Sequence, residues 1–147
     1  MYELEKGELK FLLGHPGGPF FEKKDEAAWS IPKGEAEEAE DLLETAKREF
    51  FEETGIKPKE PFIYLGQIRQ KSGKIVHCWA FEGKFPGMML RQHIFKMEWP
   101  PKSGKFQEFP ELDKAEMFSK EDAEKKINPA QLDFIKRLEK MLNDRRK

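Results

Sequence analysis

A chain of 147 residues, 37% hydrophobic and 37% charged, is sized for one domain built around a single core. Its 27 basic and 28 acidic residues leave a formal net charge of −1, so no long-range field draws it onto nucleic acid. The lone cysteine, Cys78, excludes an intramolecular disulfide, and His15, His77 and His93 do not give the spacing of a zinc site. No stretch approaches the ~18 apolar residues of a membrane span, and no basic-then-apolar leader pattern opens the chain. The expected compartment is a reducing cytoplasm, with neither membrane nor nucleic acid as partner. Composition leaves the oligomeric state open.

The elements follow in chain order. Residues 10–14 form a short apolar strand, closed by the turn His15-Pro16-Gly17-Gly18-Pro19. A loop opens at Gly34, after Pro32-Lys33, and stays acidic through Glu40 and Asp41. A helix is predicted over residues 41–54, with Gly55 where a left-handed C-terminal cap belongs. Residues 61–70 and 74–81 read as strands joined in a hairpin at Lys71-Ser72-Gly73. Another strand covers 93–99 and stops at Pro100-Pro101, and a last short one covers 115–118. Ser119 and Asp122 open a short helix to about Lys126. Asn128-Pro129 then supplies an N-cap and a first-turn proline for a final helix to about Asn143. Leu132, Ile135, Leu138, Met141 and Leu142 share one side of it, and Arg145-Arg146-Lys147 complement its dipole. There is no internal repeat and no low-complexity tract. Alternating strands and helices place the chain in the α/β class, with a mixed sheet between helices.

The predicted helix over 41–54 carries the chemistry. Glu49, Glu52 and Glu53 stand at i, i+3 and i+4 and share one arc, with Leu43, Ala46 or Lys47, and Phe50 expected on the opposite, docking side. Like charges at these spacings repel. A cation relieves that repulsion, and a hard divalent metal suits oxygen ligands best. The plainer alternative is a solvated acidic face on a highly charged chain.

Gly34, Glu40, Arg48, Glu49, Phe50, Glu52, Glu53, Gly55 and Ile56 meet a nine-position pattern without a departure. By average residue usage that is roughly a one-in-a-million coincidence. The segment resembles the signature of the Nudix hydrolases. The resemblance implies an α/β/α sandwich over residues 1–147 as a single domain. It also implies an enzyme that cleaves a nucleoside diphosphate linked to another group, through water attack on phosphorus. Outside the signature, His15-Pro16-Gly17-Gly18-Pro19, Trp29-Ser30-Ile31-Pro32-Lys33-Gly34-Glu35, Glu98-Trp99-Pro100-Pro101-Lys102-Ser103-Gly104 and Phe109-Pro110-Glu111 resemble a bacterial subgroup described as predicted nucleotide pyrophosphohydrolases. Trp29-x-x-Pro32-Lys33-Gly34 is also similar to diadenosine tetraphosphate hydrolases. Those carry a tyrosine about sixteen residues past the signature, and ADP-ribose enzymes a proline. Residues 70–73 hold neither, and Pro32-Lys33-Gly34-Glu35 is not the Pro-Gln-Gly-Gly of messenger-RNA pyrophosphohydrolases, so the substrate stays open. Relatives begin with an apolar strand where this chain has only Met1-Tyr2 ahead of the turn at residues 5–8. Either the start is displaced or the sheet is short by part of a strand.

By position match, the resemblance implies that Glu49, Glu52 and Glu53, with the Gly34 carbonyl, hold Mg2+, with Mn2+ as the alternative ion. Arg48 would orient Glu40 or a catalytic glutamate through a charge-assisted contact. With the helical carboxylates on metal, the base would come from a loop glutamate near the last strand, Glu111 ahead of Glu108. Lys33 and Lys105 are candidates to meet phosphate, or solvated loop lysines. Trp29, Trp79 and Trp99 are candidates to stack on a base, or core residues. Ser-Gly-Lys at 72–74 and 103–105 lacks the P-loop frame. Cys78 sits in an apolar run and reads as an inert thiol. Two other classes compete: a catalytically silent nucleotide sensor, and an interaction protein with an acidic helix.

Overall fold

A computed structural model describes residues 1–32, 41–87 and 94–145. The described residues form seven strands and two principal helices: β1 (Tyr2–Glu5), β2 (Glu8–Pro16), α1 (Leu42–Thr54), β3 (Ile63–Arg69), β4 (Ile75–Ala80), β5 (Ile94–Glu98), β6 (Phe106–Pro110), β7 (Leu112–Ser119) and α3 (Leu132–Arg145). The short α2 (Lys120–Lys126) and a 3-10 turn (Pro129–Gln131) link β7 to α3.

β2 organises the molecule. Phe11, Leu12, Leu13, Gly14 and His15 are buried in succession, the pattern of a strand covered on both faces. Successive residues point to opposite faces. Phe11 and Leu13 pack in a core with Phe134, Ile135 and Leu138 of α3, whereas Leu12 packs with Phe50 of α1, Phe81 and Ala115. That alternation makes the α/β/α sandwich.

Pairing corrects several sequence-based boundaries. Tyr2–Glu5 does form a strand, antiparallel to β2 from Tyr2↔Phe11 to Glu5↔Glu8. β7 starts at Leu112 and pairs with β2 as far as Pro16↔Leu112. β2 therefore runs through His15 and Pro16, which the sequence placed in a turn. Pro16 is tolerated because the register shifts between His15 and Pro16, at the strand's end. β6 was not foreseen; it pairs with β5 from Ile94↔Pro110 to Glu98↔Phe106. Every extended pairing between named strands is antiparallel, and the single bridges Tyr2↔Glu82 and Trp29↔Ile127 supply the parallel component.

The helix boundaries follow local chemistry. The Asp41 carboxylate accepts from the N–H groups of Leu43 and Glu44 at 3.0 and 3.1 Å. Gly55 closes α1 at φ 74°, its N–H donating to the Phe51 carbonyl at 2.8 Å. A side chain there adopts a left-handed backbone at a cost of about 1–2 kcal/mol. Gly55→Ala is expected to lose about that much stability in chemical denaturation, with α1 otherwise intact. An unchanged midpoint would mean that the cap is not what stops the helix. Ser119 caps α2 as predicted, whereas Asn128 caps the 3-10 turn and the final helix starts at Leu132, three residues after the expected Pro129.

Candidate active site

The carboxylates cluster on the last turns of α1. At 100° per residue, three residues separate Glu53 from Phe50 by about 60° of arc. Glu53 is thus drawn into the protein with Phe50 and is 5% exposed. The sequence had set Phe50 on the side opposite the carboxylates; the structure seats Glu53 and Phe50 on one buried flank. Glu49 and Glu52 remain half-buried. The Arg48 Nη1 lies 3.1 Å from Glu49 Oε1 and 3.2 Å from Glu52 Oε1, spanning two of the three acids. Such half-exposed pairs contribute about 0–1 kcal/mol each, but they fix where the carboxylates point. Among the described residues, no three His, Cys, Asp or Glu side chains converge as a metal cage. Lys33, Gly34 and Glu40 lie outside the described residues, so neither the Gly34 carbonyl nor an Arg48–Glu40 contact is part of this geometry.

The two loop glutamates differ in setting. Glu108 is exposed in β6, directly across from Lys96. Glu111 is half-buried in the single-residue link between β6 and β7, and its carbonyl accepts from the Gly17 N–H at 3.0 Å. Lys105 sits in the exposed turn between β5 and β6, its N–H donating to Ser103 Oγ at 3.1 Å.

The tryptophans separate cleanly. Trp29 is 2% exposed, edge-on to Phe118, with Nε1 donating to Asp25 at 2.8 Å. It is a core residue, which corrects its candidacy as a stacking platform. Its indole finds both an apolar bed and a polar partner internally. Trp99 lies edge-on to Phe20. Trp79 lines a cavity of about 600 Å3 together with Leu42, Thr45, Ala46, Phe50 and His77. Tyr64, outside the cavity lining, supports this wall from β3: its hydroxyl is 2.8 Å from His77 Nδ1 and its ring leans on Trp79. Glu49, Glu52, Glu53 and Glu111 do not line the cavity. The cavity wall runs along α1 from Leu42 to Phe50, so the carboxylates sit beside its far end without lining it. Burial pushes the Cys78 thiol up to about 11, which keeps it protonated and inert at neutral pH.

A strand-centred sandwich, one of whose helices ends in three acids and a glycine cap, defines a Nudix-type pyrophosphohydrolase acting on phosphoanhydride bonds. The chain belongs to the NUDIX domain family, whose model matches residues 4–138. Its fold is similar to that of an Ap4A hydrolase from C. elegans in a binary complex (TM-score 0.65, 21% identity, 97% of this chain and 94% of that one). It is also similar to the NUDIX domain of Shewanella oneidensis NrtR complexed with ADP ribose (0.64, 17%, 96% and 82%). A third likeness is to a MutT protein from Methanosarcina mazei Go1 (0.55, 23%, 96% and 91%). At these identities the likeness is one of fold. No curated protein matches the sequence. Among the described residues, no helix is long and apolar enough to cross a membrane.

Proposed function

We propose that this chain, acting as one domain, hydrolyses the pyrophosphate linkage of a nucleoside triphosphate or dinucleoside polyphosphate in the cytoplasm. The observation that carries this reading is the acidic end of α1: a buried Glu53 beside Glu49 and Glu52, two of them gathered by Arg48. Three carboxylates on one arc are hard oxygen donors and fit Mg2+ or Mn2+. Glu49, Glu52 and Glu53 would hold the ion with the Gly34 carbonyl, once Glu49 and Glu52 turn from Arg48. When bound, such an ion screens the phosphate charge and polarises phosphorus.

The chain's own residues do the rest. Arg48 gathers Glu49 and Glu52 through charge-assisted contacts while no ion is bound. Glu111, held by its backbone to Gly17, takes the proton of the attacking water, with Glu108 as the alternative base. The cavity bounded by Trp79 and His77 is large enough for a nucleoside and reaches Phe50, which stands between Glu49 and Glu52 on α1. Lys33 and Lys105 are the residues we assign to phosphate contacts. No nucleic acid or membrane partner enters this reading.

A screen of nucleoside triphosphates, dinucleoside polyphosphates, ADP-ribose and nucleotide sugars with Mg2+, with products identified, tests it. Binding without turnover across the set would favour a silent nucleotide sensor. Water attack on phosphorus makes a further prediction. Hydrolysis in 18O-water should place the label on one phosphate-containing product, read by mass spectrometry. Label on a sugar hydroxyl, or free inorganic phosphate as the sole primary product from a dinucleoside substrate, would refute the mechanism.

A further inference from the structure

The segment His15-Pro16-Gly17-Gly18 has the composition of a turn, and beyond the Gly17 hydrogen bond to Glu111 it takes no part in the chemistry above. In the structure, residues 15–17 contact 111–113 directly, and Gly17 and Gly18 lie beside Pro110 and Phe109. A methyl group added at Gly18 would sit 3.9 Å from Phe109 Cβ. One at Gly17 would sit 1.9 Å from the Pro110 carbonyl oxygen, a separation no two such atoms can hold. The Gly17 N–H donates to the Glu111 carbonyl at 3.0 Å. Pro16 pairs with Leu112, whose two methyls would stand 2.8 Å from a Cβ at Gly14. His15 Nδ1 lies 2.8 Å from the Asp113 carboxylate, and Nε2–H donates to the Lys24 carbonyl at 2.6 Å, anchoring the buried ring at both ends. The backbone carrying Glu111 is thus clasped on either side of that residue.

We propose that Gly17 is a positioning residue for Glu111: its missing side chain admits the Pro110 carbonyl, and its N–H sets the height of the Glu111 backbone. This rests on the reading of Glu111 as the base. The constraint at Gly17 is steric, since the obstacle is a backbone oxygen that no rotamer change can move. Gly14 differs, because there the obstacle is the flexible end of Leu112.

The test measures Mg2+-dependent hydrolysis and amide hydrogen exchange for Gly17→Ala, Glu111→Gln and the double variant, with Gly14→Ala as the comparator. A misplacement of about 1 Å costs roughly 10²-fold in rate. Gly17→Ala is therefore expected to lower kcat by about that factor, with KM and Mg2+ affinity held within about threefold. In the Glu111→Gln background the same change should cost nothing further, because residues acting as a unit are non-additive. In the metal-free protein, amides of 109–113 should exchange faster and those of 42–54 should not. Gly14→Ala should stay within a few-fold of the parent rate. Should Gly17→Ala fail to fold, Asp113→Asn loosens the same clasp without adding volume, and should show a few-fold kcat loss that vanishes in the Glu111→Gln background. Equal losses in both backgrounds, or a full rate in Gly17→Ala, would overturn the proposal while leaving a slow Glu111→Gln to support the base. A silent Glu111→Gln would overturn both.

Discussion

Glu53→Gln is expected to remove metal affinity and cut turnover by about 10²–10⁴-fold, while the metal-free protein melts at the same temperature or higher. The two effects have one cause. Glu53 is a carboxylate packed at 5% exposure, one turn from Glu49 on the same arc. An i, i+4 pair of like charges costs about 0.2–0.5 kcal/mol, and burying a charge adds to that. Glutamine keeps the shape and removes the charge, so the repulsion is relieved while the metal ligand is lost. Glu52→Gln should be as slow, but it also gives up the Arg48 contact at 3.2 Å and so should not share the rise in melting temperature. Isothermal titration with Mg2+ and thermal melting with and without the ion separate these outcomes. Full activity in either variant would remove that residue from the metal set.

The second large effect lies outside the helix. Glu111→Gln is expected to lower the rate constant at saturating substrate by about 10²–10⁴-fold, with metal affinity little changed. Glu108→Gln should be nearly silent, since that side chain is exposed in β6 across from Lys96. If the roles reverse, Glu108 is the base. If both variants keep full rate, the proton goes to a carboxylate of α1.

What could be read from the residues alone was local. The span of α1 follows from Asp41 at one end and Gly55 at the other, each acting within a few residues. The hairpin of β3 and β4 follows from Lys71-Ser72-Gly73, and the starts at Ser119 and Asn128 from their own side chains. The nine-position signature is likewise contained in 23 consecutive positions, 34–56, and it announced the family before any contact was known.

Tertiary structure decided whatever depended on distant partners. Tyr2–Glu5 has little apolar content of its own and becomes a strand by pairing with β2. The β2–β7 ladder carries β2 through Pro16 and begins β7 at Leu112. Trp29 is core because Phe118, His15 and Asp25 surround it, residues that no spacing in the chain brings together. Glu53 is buried because α1 docks through Phe50, and a 100° step leaves the two side chains on one flank. Gly17 meets Pro110 across 93 positions of sequence. Caps and turns are settled by atoms a few bonds away. Strand pairing, burial and the aim of a catalytic side chain depend on surfaces that exist only once the chain has closed on itself.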